Sequence, residues 1–209
     1  MRVGTGTHLL IATRNAGKLR ELEQLLAGLP FVLTNLADFP HIEQVKEIGK
    51  TFVENAVLKA AGYATQARTL TLADDSGLEI DALGGAPGVF SARYLGESAS
   101  YAARINSLLG ELITIDAARR NASFVSAIAI ADTDGNVLDV SVGTCEGRIA
   151  FGARGSRGFG YDPIFVPDGY DLTFAELDTE VKNEISHRAR ALRGAREYLE
   201  SLTSALHAD

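Results

Sequence analysis

The chain has 209 residues, 46% hydrophobic and 22% charged, which suits a soluble globular protein with one real core or two small lobes. Its net charge of −7 argues against a broad nucleic-acid-binding surface, so cations for a polyanionic small substrate would have to be gathered locally. Cys145 is the single cysteine and excludes an internal disulfide, and the histidines (His8, His41, His187, His207) lack zinc spacing. No apolar run approaches the ~20 residues that span a membrane, and the run from Leu9 to Ala12 is too short for a signal peptide. The expectation is a cytoplasmic protein without membrane or nucleic-acid partners.

The run "HLLIAT" (8–13) predicts a short buried strand. A helix follows, with Leu19, Leu22, Leu25, Leu26 and Leu29 at helical spacing, Asn15 as N-cap, and Gly28 and Pro30 as the stop. "FVLTNL" (31–36) reads as a second strand. Residues 51–68 form a predicted helix with Val53, Ala56, Val57, Ala60 and Ala64 on one face. The strand "TLTLAD" (69–74) precedes a glycine-rich stretch at 82–94, and "SYAARINSLLGEL" (100–112) is helical. The clearest hairpin spans 121–147, turning at Asp134-Gly135, with Leu138, Val140 and Val142 alternating against Asp139, Ser141 and Gly143. A long glycine-rich loop (151–169) leads to a closing helix (185–206) capped by Ser186. There is no repeat or linker, and a mixed α/β fold is expected.

Two helix starts break a local rule. A helix N-terminus carries about half a positive charge, so cations there are disfavoured by ~0.3–1 kcal/mol each. Yet Lys18 lies in the first turn after Asn15, and His187, Arg188 and Arg190 crowd the turn after Ser186, with Lys182 just before it. A single such side chain can snorkel into water; two such starts in an acidic chain make sense if phosphate sits there. The stretch "TRNAGKL" is not a P-loop, because Ala12 and Leu19 stand where glycine and Ser or Thr are required. "GFGYDP" lacks a dinucleotide fingerprint, and neither Ser76 nor Ser156 sits in a nucleophile elbow.

Polyphosphate hydrolysis also calls for a hard cation, and magnesium needs only one or two carboxylates. The stretch "LADDSG" (72–77) offers two at a predicted strand end. Asp, Ser and Gly favour a turn there; a metal or acid–base site at a strand tip is the alternative. Neighbouring strand residues face opposite ways, so the two aspartates cannot share one purpose by symmetry. Asp75 is the first candidate and Glu47 the second, and either also reads as a solvated surface acid.

Five stretches in order, "ATRNAGKLREL", "EIGKTFVENAVLKA", "ADDSGLEIDALGGAPGVFSARY", "GFGYDPIF" and "KNEISHRARAL", make the chain resemble the inosine triphosphate pyrophosphatase family of house-cleaning nucleotide hydrolases from about residue 8 to 200. Arg14 departs from the glycine common there. The resemblance implies an α/β fold with an elongated mixed sheet, flanking helices and two lobes around a central cleft, all within one domain. It implies a homodimer, Mg2+, and hydrolysis of ITP, dITP and XTP to monophosphate and pyrophosphate. Carried over, Thr13, Asn15 and Lys18, with Arg14, Ala16 and Gly17 of the same loop, hold the triphosphate. Glu47 and Asp75 bind magnesium, and Asp75 is also the proton acceptor. Ser76 touches substrate; Phe159, Gly160, Tyr161 and Asp162 wall the nucleoside pocket; Lys182, His187 and Arg188 close on base and phosphates. Alternatives are a pyrophosphatase for pyrimidine or other modified nucleotides, a non-catalytic nucleotide sensor, and a serine hydrolase, which the missing elbow weakens.

Overall fold

The computed structural model describes residues 6–204, so residues 205–206 of the expected closing helix lie outside it. Six strands form one sheet in the order β2-β1-β3-β4-β5-β6. They are β1 (His8–Ile11), β2 (Val32–Asn35), β3 (Leu70–Ile80), β4 (Asn121–Ala131), β5 (Val137–Ile149) and β6 (Phe165–Pro167). The helices are α1 (Ala16–Leu26), α2 (Phe52–Ala67), α3 (Tyr101–Glu111), α4 (Thr179–Ile185) and α5 (His187–Ser204). Strand β1 runs parallel to both β2 and β3, which explains its unbroken apolar sequence, since helix-covered parallel strands are buried on both faces. Strand β6 pairs antiparallel with β5, so the sheet is mixed.

The chain forms two compact units. Unit 1 is Met1–Asp75, Ser126–Gly143 and Arg188–Asp209; unit 2 is Ser76–Val125 and Thr144–His187. Each has its own core. In unit 1, Leu9 and Ile11 of β1, Leu22 and Leu26 of α1, Leu70 and Leu72 of β3, and Leu192, Ala195 and Leu199 of α5 pack together. In unit 2, Leu78 and Ile80 meet Ile105 and Leu108 of α3, together with Phe124, Phe165 and Phe174. Each such aliphatic or aromatic side chain contributes about 1.5–3 kcal/mol when fully buried.

Several sequence expectations need correction. The turn at "LADDSG" does not form, because β3 continues through it to Ile80 and Asp75 lies mid-strand. Aspartate favours turns when its carboxylate bonds to nearby backbone. Here both carboxylates are buried and bond to cations distant in sequence, which removes that competition. The buried stripe of α2 is also shifted: Val53 is exposed, whereas Phe52, Asn55, Ala56, Lys59, Ala60, Tyr63 and Ala64 face inward. In β5, Val140 and Val142 are exposed. The closing helix expected after Ser186 forms as α5 from His187, and a further short helix, α4, precedes it.

Candidate active site

In unit 1 the strand–loop–helix start is built around Asn15. Its Oδ1 accepts the amides of Gly17 at 2.8 Å and Lys18 at 3.1 Å, capping α1 before Ala16. Thr13 Oγ1 accepts the Asn15 amide at 3.2 Å, and Arg14 donates to the Ile42 carbonyl at 3.4 Å. The Gly17 amide expected to meet phosphate is therefore engaged by the cap, and Arg14 ties its loop to the chain near Ile42.

The cationic helix starts are explained by Asp74. This fully buried carboxylate receives Lys18 Nζ on Oδ1 at 2.6 Å, and on Oδ2 Arg188 Nε at 3.3 Å and Ser126 Oγ at 2.6 Å. Arg188 also pairs with Glu21 through Nη1. Burial alone would raise the Asp74 pKa, but Arg188, Lys18 and the hydrogen bonds from Lys18 and Ser126 hold it well below its ordinary 3.8. Lys18 is pushed down by burial, which Asp74 does not fully offset with Lys59 and Arg188 nearby. The two helix-start cations thus converge, as the charge pattern suggested, but on a protein carboxylate.

Asp75 points the other way along the pleat, as alternation requires. Its Oδ1 accepts Lys59 Nζ at 2.7 Å, and the same ammonium reaches Glu47 Oε1 at 2.8 Å. Asp75 Oδ2 is buried without a hydrogen-bond partner. Burial pushes the Asp75 carboxyl above its ordinary 3.8, outweighing Lys59 and Lys18. Burial opposes charge on Lys59, but Asp75 and Glu47 overcome it and raise its pKa. Glu47 belongs to an irregular segment that Asn55 pins: the buried Asn55 Oδ1 accepts the Gly49 amide at 2.8 Å. A Cβ at Gly49 would lie 2.7 Å from both Asn55 Oδ1 and Glu54 Cβ, so the close approach requires glycine. Among the described residues no group of three His, Cys, Asp or Glu side chains could hold a metal. Two carboxylates with one buried, unsatisfied oxygen nevertheless suit a hard cation that keeps several waters.

Lys59, Asn55 and Asp74 are the residues that sequence reasoning missed or left undecided. For the first two a signal existed: Asn55 and Lys59 are polar, four apart, and fall on the stripe occupied by Phe52, Ala56, Ala60, Tyr63 and Ala64. A lysine on a buried helix face implies a buried partner.

In unit 2, Ser76 continues β3 and is half-buried. The stretch 158–162 folds back on Asp162, whose Oδ2 accepts the Phe159 amide at 2.8 Å and Lys182 Nζ at 2.5 Å. Gly158 has φ +71°, and a Cβ there would come 2.0 Å from Asp162 Oδ2, so no other residue fits this turn. Lys182 lies 5.1 Å from the Phe159 ring centroid and 5.5 Å from that of Phe174, within cation–π range. His187 stacks on Phe124, with centroids 4.6 Å apart and planes 11° from parallel. Gly160 faces the Tyr101 ring. Tyr161 is buried in the unit 2 core, its hydroxyl donating to the Ser91 carbonyl at 2.8 Å. The structure thus gathers Lys18 and Arg188 on Asp74, Glu47 and Asp75 on Lys59, and Phe159 and Lys182 on Asp162.

The model of the Ham1 family matches residues 9–198. A dITP/XTP pyrophosphatase of Bacillus cereus is 48% identical over 186 residues, covering 88% of this chain and 91% of that one. One from Geobacter sulfurreducens is 48% identical over 193 residues, covering 92% and 96%. The solved Ham1 protein from Coxiella burnetii superposes with a TM-score of 0.84 at 42% identity, over 93% of this chain and 99% of that one. With the Staphylococcus aureus Ham1 protein the TM-score is 0.81 at 38% identity, with the same coverage. The chain belongs to the Ham1 family.

Proposed function

We propose that this protein is a dITP/XTP pyrophosphatase, cleaving ITP, dITP and XTP to the monophosphate and pyrophosphate, with Mg2+ as cofactor and a homodimer as the working form. The observation that carries the chemistry is Asp75: buried, one oxygen on Lys59, the other without a partner, and Glu47 on the same ammonium. The related pyrophosphatases at 48% identity support the substrate class. Glu47 and Asp75 would hold magnesium, which supplies charge neutralisation on the phosphate oxygens. Asp75 takes the proton of the water that attacks the α-phosphorus. The bond from that phosphorus to the bridging oxygen breaks, and pyrophosphate leaves with the electron pair. A general base so placed contributes about 10²–10⁴-fold in rate. Lys18 and Arg188 offset charge on the phosphates, exchanging part of their contact with Asp74 for phosphate oxygens.

Base choice is assigned to unit 2. Hypoxanthine and xanthine present a 6-oxo acceptor where adenine presents an amino donor. A donor from Lys182 or His187 selects the keto form, because a mismatched buried partner costs ~1–3 kcal/mol. Phe159, half-buried beside Lys182, offers a ring for stacking. The test is product analysis from ITP with Mg2+. Pyrophosphate is expected, with none after EDTA; orthophosphate, or binding without turnover, would overturn the assignment. Asp75→Asn is expected to keep nucleotide binding and lose turnover by about 10²–10⁴-fold, and near-normal turnover would remove Asp75 from the mechanism.

A further inference from the structure

The two carboxylates assigned to magnesium already share a cation. Lys59 Nζ stands 2.7 Å from Asp75 Oδ1 and 2.8 Å from Glu47 Oε1, and its side chain is 9% exposed. Two carboxylates converging on one buried point repel each other unless a cation sits between them. We propose that the Lys59 ammonium is the resident counter-ion of the Glu47–Asp75 pair, and that a divalent metal ion loads by displacing it, so that metal binding is a cation exchange within unit 1. This rests on the reading of Glu47 and Asp75 as metal ligands. Three features support the exchange. Asp75 Oδ2 has no partner, so an incoming ion can engage it before Lys59 releases Oδ1. Lysine is a compact charge on a flexible four-carbon stem and can withdraw, as a planar guanidinium held by two parallel bonds cannot. The Glu47 segment is fixed independently of Lys59, through the Asn55–Gly49 hydrogen bond of 2.8 Å, so the ligand does not depend on the lysine for its place. Displacement makes the metal compete with an internal ammonium, and the free protein therefore binds it more weakly than its two carboxylates would allow.

The test is calorimetric titration of the nucleotide-free protein with Mg2+ alone, and with Mn2+ alone. Lys59→Met, which keeps the stem and removes the charge, is expected to bind metal about tenfold more tightly than the natural protein, or better. Its melting temperature should be lower without metal and rise further on adding it. Affinity unchanged or weakened in Lys59→Met overturns the exchange. Lys59→Gln serves as the second variant. If both fold only with metal present, the proposal is supported; if neither folds with metal, the ion cannot replace the ammonium and the proposal fails. Glu47→Gln separates the two layers of the argument. If it leaves metal affinity of the natural protein unchanged, the ligand assignment itself is wrong. If it weakens affinity while Lys59→Met does nothing, only the exchange is wrong.

Discussion

Unit 1 gathers Lys18, Lys59 and Arg188 against Glu21, Glu47, Asp74 and Asp75, whereas unit 2 buries the pair Asp162–Lys182 among aromatic rings. The unit 1 network includes a buried carboxylate oxygen, Asp75 Oδ2, without a hydrogen-bond partner. The contacts of Asp162 instead close a turn, with the Phe159 amide and the Lys182 ammonium on one oxygen. A network with an open valence can exchange partners with metal and phosphate. A closed pair against flat rings keeps a donor in a fixed place, which suits recognition of a base edge. On the proposed reading, the unit 1 network suits the chemistry and the unit 2 pair suits selectivity.

The sharpest way to break this contrast is Asp74→Ala. It leaves Lys18 and Arg188 without their shared carboxylate, and removing one member of a buried ion pair costs about 3–5 kcal/mol. Urea unfolding should show that loss, and a change below ~1 kcal/mol would mean the cluster is looser than its geometry. The same residue sets acid stability. The folded Asp74 pKa lies well below 3.8, so below pH 3.8 the unfolded chain binds more protons than the folded one. Stability contributed by Asp74 is therefore complete above that pH and drains away as pH falls below it. Asp74→Asn should flatten this slope in melts recorded from pH 5 to pH 2.

Next in size is Lys182→Met. If Lys182 reads the 6-oxo group, the specificity ratio of ITP over ATP should fall by about tenfold to a hundredfold, equivalent to losing one buried hydrogen bond of ~1–3 kcal/mol. An unchanged ratio would leave unit 2 without its assigned role. The smallest effect expected is Asn15→Ala, which removes the cap of α1 and costs about 1 kcal/mol of stability. It frees the Gly17 and Lys18 amides that Asn15 now holds, so KM for ITP should change less than it does when Lys18 is replaced by methionine.

Much of the site was legible before any tertiary contact was known. Lys18 and Arg188 stood out because they oppose a helix dipole, and Asp75 because a carboxylate follows a buried strand. What misled was local propensity: Asp74, Asp75, Ser76 and Gly77 read as a turn, and the strand runs through them to Ile80. Lys59 carries no local signal of its own, being one lysine in an alanine-rich helix. Its neighbours Ala56 and Ala60 are fully buried, which places it on the covered face.

The order of apolar periods, caps and glycines alone determined the α/β class, the starts of α1, α2 and α3, the hairpin turn and the Ham1-type motif series, because these depend on residues near one another in the chain. Tertiary structure alone decided which charges meet. Asp74 finds Ser126 and Arg188, 52 and 114 residues away, and Asp75 finds Lys59 across 16. Such pairings follow from strand order and helix docking, whose long-range geometry no local pattern records. The alternation of β3 then sends two adjacent aspartates to opposite faces, one to bind cations that hold unit 1 together and one to keep an oxygen free.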